Sequence, residues 1–278
     1  MAREGNDLSG YNDTEKVQEH YDRFSPYYHS LWGELHHGYW IRGDETKEQA
    51  QEQLLEHLAQ VSKLPMGAKV LDVGCGFGGG SLYLAKKYGA STTGITISGV
   101  QVEMAEKAAL AAGANSQFLL MDAQEMKFDT RFDVVWSTES ISHYQQREKF
   151  FAAAVNCLEP GGTLAITDWF KKENLTAREY EEYIQPIDKG ALIELATMED
   201  YAGEMQASGL QPIHQETLNK ECAKTWDLCL DILTKKAFWQ LMAEGATEFL
   251  DFWRASRAAR TGIDSGNFVY GLMVAKKT

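Results

Sequence analysis

The sequence is short of several things that would each have pointed to a different kind of protein. Only four cysteines occur, Cys75, Cys157, Cys222 and Cys229, and their spacing suits neither a zinc site nor a disulfide framework. They read as reduced packing thiols of an intracellular, cytoplasmic protein. No window approaches the roughly 18 uninterrupted apolar residues of a membrane span, so integral membrane contact is not expected. The start, Met1-Ala2-Arg3-Glu4-Gly5-Asn6-Asp7, is too polar for a signal peptide. Basic surface is also missing. The net charge is −13, and Lys86-Lys87, Lys171-Lys172 and Lys235-Lys236 are isolated pairs. Proteins that hold nucleic acid draw most of their affinity from phosphate contacts, so a nucleic-acid partner is disfavoured.

What is present is apolar mass. Of 278 residues, 44% are hydrophobic and 11% aromatic, enough for a large core in one domain with an appendage. Residues 1–12 are polar and read as loose. An aromatic cluster follows, Tyr21, Phe24, Tyr27, Tyr28, Trp32, Tyr39 and Trp40, with His29, His36 and His37 among it. From Thr46 to Val61 an apolar stripe predicts a helix. Beyond Pro65-Met66-Gly67, short strands alternate with helices. The strands are predicted at Lys69–Val73, Thr92–Ile97, Gln117–Met121, Phe132–Ser137 and Thr163–Trp169. The helices are predicted at Gly79–Tyr88, Gly99–Ala112 and Gln145–Leu158. That alternation means right-handed crossovers and a parallel sheet covered on both faces.

The pattern loosens after residue 170. Residues 171–208 read as helical with a break near Pro186 and Gly190, Leu210–Leu218 as a strand, and Ala223–Thr261 as a long helical stretch holding Trp226, Trp239 and Trp253. Asn267–Ala275 is the last strand. The expected fold is α/β and Rossmann-like: a doubly wound, mostly parallel seven-stranded sheet with an antiparallel C-terminal edge pair. An aromatic-rich helical cap is expected at 1–45, and a domain at 46–278 with a lid insertion at about 218–262.

Gly74, Gly76 and Gly79 fit G-x-G-x-x-G between a strand and a helix. By itself this says only that a nucleotide-like ligand meets a helix N-terminus. A dinucleotide site would place a ribose-binding acid about 20 residues on, yet the string there is Gly94-Ile95-Thr96-Ile97-Ser98, without a carboxylate. No G-K-[ST] follows the glycines, so a P-loop is excluded.

Asp72-Val73-Gly74-Cys75-Gly76-Phe77-Gly78 resembles the first motif of the class I S-adenosylmethionine-dependent methyltransferases. Met121-Asp122-Ala123, Phe132-Asp133-Val134-Val135-Trp136-Ser137 and Leu158-Glu159-Pro160-Gly161-Gly162 are similar to that family's later signatures, in the same order. Gly94–Gln101, Trp32–Trp40 and Trp136–His143 resemble the branch of tocopherol and sterol methyltransferases and of cyclopropane-forming enzymes. The resemblance implies S-adenosyl-L-methionine as cofactor and a small-molecule acceptor. It implies that Asp72, Gly74, Cys75 and Gly76 meet the methionine end, and that Asp122, with Ala123 and Gln124, meets the adenine. Thr96, Ile97, Ser98 and Gln101 fall near the ribose. Tyr21 and Trp40 belong to an aromatic cap over the sulfonium, whose charge aromatic faces attract.

Each assignment has a plainer counterpart. Asp72 could cap the following helix, Asp122 could be a turn residue, and the aromatics could simply pack. His143 suits a general base because imidazole titrates near working pH. Glu139 could bind a substrate cation or stabilise positive charge, including the cofactor's; both could equally be solvated loop residues. His36-His37 suggests metal, but adjacent positions are not expected to point inward together and no third ligand stands nearby. The expected reaction is in-line methyl transfer to a hydrophobic or aromatic molecule. A cyclopropane-type lipid enzyme, an NAD-dependent oxidoreductase and a non-catalytic binding module are the alternatives. Oligomeric state is left open, a homodimer included.

Overall fold

The computed structural model describes residues 12–236, 238–239 and 248–278. The expected loose start therefore lies outside the described residues up to 11, as do 237 and 240–247 of the expected lid. Seven strands form one sheet: β1 (Lys69–Val73), β2 (Ser91–Thr96), β3 (Ser116–Leu120), β4 (Phe132–Thr138), β5 (Leu158–Lys171), β6 (Leu210–Thr217) and β7 (Phe268–Lys277). Their order is β3-β2-β1-β4-β5-β7-β6. Strands β1 to β5 run parallel, while β7 is antiparallel to both β5 and β6. The expected fold class and edge pair are what the chain adopts.

The strands are nearly all apolar because both faces are covered. Val70, Val134, Ala165, Leu272 and Val274 face one core, filled by Leu54, Leu55 and Leu58 of α2 (Lys47–Ser62). Their neighbours Leu71, Val135, Leu164, Met273 and Ala275 face the other, against Phe150, Phe151 and Ala154 of α5 (Arg147–Cys157). Adjacent residues go to opposite cores because side chains alternate along a strand. Between β1 and β2 lies α3 (Gly79–Tyr88), and between β2 and β3 lies α4 (Gly99–Ala112). Both stop at glycines in left-handed backbone, Gly89 and Gly113, as the sequence indicated.

Three elements differ from expectation. Strand β5 begins at Leu158 rather than Thr163, because Leu158 already pairs with Phe132 before a bulge restores the register at Val134 and Thr163. The break near Pro186 is a π-helical turn, Tyr180–Ile184, which accommodates the missing proline N–H while the helix continues over Gln185–Ala191. Gly190 is not a break at all. A Cβ there would stand 2.3 Å from the Asp251 carbonyl oxygen and 2.6 Å from the Ala255 Cβ, so glycine permits a close helix crossing. The stretch 223–261 shows separate helices, Lys224–Ile232 and Glu248–Ser265.

The chain runs out from β1 to β3 and returns to start again at β4. The carboxyl ends of β1 and β4 therefore open a crevice, where α/β sheets receive ligands. Above it, Ile141–His143 forms one 3-10 turn. Its anchor is Asp168, buried on β5, which accepts from the Ser142 N–H at 2.9 Å, the Ser142 hydroxyl at 3.0 Å and the Tyr201 hydroxyl at 3.1 Å. Burial pushes its carboxyl up to about 7 against these donors. Asp168→Ala strands the donors and should lower unfolding free energy by roughly 1–3 kcal/mol, measured by urea denaturation. Lys107→Ala, on the exposed face of α4, should change it by no more than about 0.5 kcal/mol. Equal effects would remove the anchoring role.

Candidate active site

A cavity with about 220 Å³ of free volume occupies the crevice. Its floor over β1 to β3 is the glycine loop. Gly74, Gly76 and Gly78 have φ of 72°, 53° and 87°, a region open to glycine at little cost. At Gly74 a Cβ would also stand 2.3 Å from the Ser140 Cβ, so the loop presses directly against the segment after β4. Asp72, at the end of β1, accepts from the Ser81 hydroxyl at 2.7 Å. Burial pushes it up to about 6, against the pull of Ser81.

A second carboxylate stands at the same loop. Glu34 comes from the segment after α1 (Thr14–Leu31), and a Cβ on Gly79 would lie 2.2 Å from its carboxyl carbon. Burial pushes Glu34 up to about 7; the Gly79 backbone N–H opposes this and the Asp72 charge adds to it. Among the described residues neither carboxylate makes an ion pair. A buried acid and a half-buried one held outside any ion pair are costly, although the Lys47 charge eases the second, and both line the cavity.

On the other side stands Glu139, whose φ of 55° puts a non-glycine residue in left-handed backbone directly after β4. Its carboxylate accepts from the His37 backbone N–H and from His37 Nδ1 at 2.9 Å. It also accepts from Trp169 Nε1 at 2.9 Å and the Tyr270 hydroxyl at 2.7 Å. Burial alone would raise its pKa, but His37 and these hydrogen bonds hold it below the usual carboxylate value. Glu139 is therefore neither a solvated loop residue nor a free carboxylate. Four donors occupy it.

His143 is equally engaged. Its Nδ1 lies 3.0 Å from the Leu192 carbonyl oxygen, which can only accept, so Nδ1 carries the proton. Its Nε2 then accepts from the Tyr21 hydroxyl at 3.0 Å. Burial lowers His143 to about 4, with the Leu192 contact opposing, so the ring is neutral at pH 7.

Of the residues singled out from sequence, Asp72, Gly74, Cys75, Gly76, Thr96, Ile97, Gln101, Asp122, Ala123, Gln124, Glu139, His143 and Tyr21 all line the cavity. Ser98 and Trp40 do not. The Ser98 hydroxyl caps α4 at the Gln101 N–H and donates to Asp22 of α1 at 2.6 Å, which leaves it no ligand-facing role. Trp40 is buried beside the cap segment, its Nε1 donating to the Glu45 carbonyl at 3.3 Å. The histidine expectation is also corrected: His36 and His37 are both buried and both line the cavity. Residues 37–40 lie outside any helix or strand, so no alternation forces adjacent side chains apart. The described residues hold no cluster of three metal-ligating side chains. Glu34, Trp169 and Tyr270 went unassigned from sequence; only the Trp32–Trp40 resemblance hinted at the first.

The sheet order, the acid-glycine loop and the acidic edge at Asp122 define a class I S-adenosylmethionine-dependent methyltransferase. The profile of the mycolic acid cyclopropane synthetase family matches residues 9–259, and the chain belongs to that family. It is similar to 27-O-demethylrifamycin SV methyltransferase of Amycolatopsis mediterranei (strain S699), 33% identical over 216 residues, 76% of this chain and 79% of the relative. It is 31% identical over 255 residues to the chloroplastic tocopherol O-methyltransferase of Arabidopsis thaliana, 82% and 72% of the two chains. A mycolic acid cyclopropane synthase solved with SAH and CTAB shares the fold, with TM-score 0.84 at 20% identity over 95% of this chain and 98% of that one. The nicotinamide alternative is thereby set aside.

The donor set fits the cofactor, since Asp72 and Glu34 supply the negative charge that an ammonium and a sulfonium require. Both acids are shifted up, so each favours the folded apoprotein most below the pH at which it ionises unfolded. That contribution is lost as pH climbs through about 6 and 7. A bound ammonium reverses the cost. S-adenosylhomocysteine (SAH) should therefore bind more tightly at pH 8 than at pH 5.5 by calorimetry. Asp72→Asn should weaken binding about 10- to 100-fold, the worth of one hydrogen bond to a charged group, and flatten that pH dependence. An unchanged affinity would remove Asp72 from the site.

Proposed function

We propose that this methyltransferase acts on a small, largely apolar or aromatic acceptor, a natural product in character, held over β4 and β5. The observation behind this is the apolar lining of the cavity: Trp169 of β5, Trp226 and Ile193, with Ile232, Phe238 and Phe252 on the side of α1. Such walls hold an acceptor by burial rather than by charge. The relatives named for 27-O-demethylrifamycin SV and tocopherol support the same reading. Among the described residues no helix is long and apolar enough to cross a membrane.

S-adenosylmethionine, when bound, supplies a methyl group already activated on a sulfonium. The chain's own contribution is alignment and exclusion of water. Asp72 and Glu34 hold the amino-acid end, with Thr96 and Gln101 at the ribose and Asp122, Ala123 and Gln124 at the adenine. Tyr21 is the closing element. Its bond to His143 ties α1 of the 1–45 cap to the 3-10 turn, while the helices of the 218–262 lid cover the opposite wall. Because Nε2 of His143 already accepts the hydrogen bond of the Tyr21 hydroxyl, His143 can serve as a base only by relay through that phenol oxygen. Its first task is to latch the cap.

Methyl-labelled cofactor incubated with phenols, amines, indoles and isoprenoids should label at least one apolar class, read by chromatography. Transfer confined to highly charged acceptors would overturn the reading. His143→Ala should lower kcat/KM on a labelled acceptor by about 10- to 100-fold through loss of alignment, with SAH affinity changed far less. A loss entirely in SAH affinity would make the latch a cofactor contact instead.

A further inference from the structure

The His37 ring is oriented but not filled. Its Nδ1 faces Glu139 Oε2 at 2.9 Å. The carboxylate can only accept, so Nδ1 carries the hydrogen, and in the neutral tautomer the lone pair stands on Nε2. That Nε2 is buried and has no hydrogen-bond partner among the described residues. The ring is fixed on every side: Tyr270 stacks on it at 4.3 Å, and Trp226 and Trp169 meet it edge-on at 5.0 and 5.6 Å.

A second orphan lies beside it. Trp226 Nε1, a buried donor, also has no partner among the described residues. Both residues line the cavity. Folded proteins seldom leave such groups unpaired without reason, and here the two are complementary, one lone pair and one N–H. A hydroxyl satisfies both at once, giving its hydrogen to the first and accepting from the second. A carboxylate cannot donate, and an ammonium cannot accept.

We propose that His37 Nε2 and Trp226 Nε1 receive a hydroxyl of the acceptor, and that His37, oriented by Glu139, is the base that removes its proton. This rests on the reading of the cavity as an apolar acceptor site. The O–H bond breaks and its proton passes to Nε2. The electron pair left on oxygen forms the bond to the transferred methyl, and the pair of the broken carbon–sulfur bond stays on sulfur. The imidazolium formed is stabilised by the Glu139 carboxylate and by the face of Tyr270 stacked on it. His36, Tyr270 and Glu139 are titratable groups beside this ring; burial lowers the His36 pKa, with the Glu139 charge opposing. His143 cannot take the same part directly, since both of its nitrogens are already bonded.

The test is His37→Asn, whose amide N–H can still donate to Glu139 but which has no Nε2, with Trp226→Phe as a second variant that removes only the donor. Each is saturated with SAH and titrated with 4-nitrophenol and, as a control without a hydroxyl, 4-nitroanisole. Wild type should bind nitrophenol as the phenolate, seen by its visible absorbance, at a pH below the phenol's own ionisation in water. His37→Asn should bind it as the neutral phenol and at least about 10-fold more weakly, and Trp226→Phe about 5-fold more weakly. Nitroanisole binding should be the same in all three. Labelled methyl transfer to phenols should fall about 10²- to 10⁴-fold in His37→Asn, the usual worth of a general base, and recover at alkaline pH. Nitrophenol that binds wild type and both variants alike, or only as well as nitroanisole, overturns the proposal alone. If neither compound binds, the apolar acceptor site itself is refuted. Should His37→Asn fail to fold, the Trp226→Phe comparison decides.

Discussion

The site depends on one buried charge. Glu139 draws its four donors from three distant parts of the chain: His37 from the segment after α1, Trp169 from β5 and Tyr270 from β7. Removing any donor leaves a desolvated carboxylate short of a partner, which costs several kcal/mol when a whole partner is lost. The left-handed backbone at Glu139 is what turns the carboxylate inward from the end of β4. Such strain survives only where its surroundings over-determine it, and four hydrogen bonds do so here. The wall of the cavity, the seat of the cap and the pose of His37 follow from that single geometry.

The two halves of the cavity are built by different means. Over β1 to β3 the contacts are mostly local, with Ser81 reaching Asp72 nine residues away and Thr96 reaching Gln101. That half can be written into short motifs. Glu34 is the exception, a cap residue admitted to the loop because position 79 has no side chain. Over β4, β5 and β7 every decisive contact spans long sequence separations, and the proposed acceptor contacts fall there.

This division explains what the sequence revealed. The βα alternation, the glycine stops at 89 and 113 and the tight glycine loop from Asp72 to Gly78 were legible, because periodicity and turn chemistry are local. Strand β5 was placed several residues late because Pro160-Gly161-Gly162 reads as a turn, whereas the chain absorbs it as a bulge within the ladder. Ser98 was assigned to the ribose because Asp22, its actual partner, sits 76 residues earlier. His37 was weighed only as a metal ligand. Its true partner is Glu139, 102 residues on, and no spacing rule connects them. Tyr270 looked like one more apolar strand residue, since a strand gives no sign of which hydroxyl will end beneath a carboxylate.

The position of β7 has a consequence in time. It is the seventh strand of the sheet in chain order, yet it lies inside, between β5 and β6. While the chain is being translated, the crossovers from β1 to β5 can form as they emerge, but β6 has no ladder to join until the ten residues of β7 leave the ribosome. Tyr270 arrives with that strand, more than two hundred residues after His37. The pocket is thus completed by late residues closing onto much earlier ones, and a nascent chain lacking β7 would hold the glycine loop without the Tyr270 contact to Glu139.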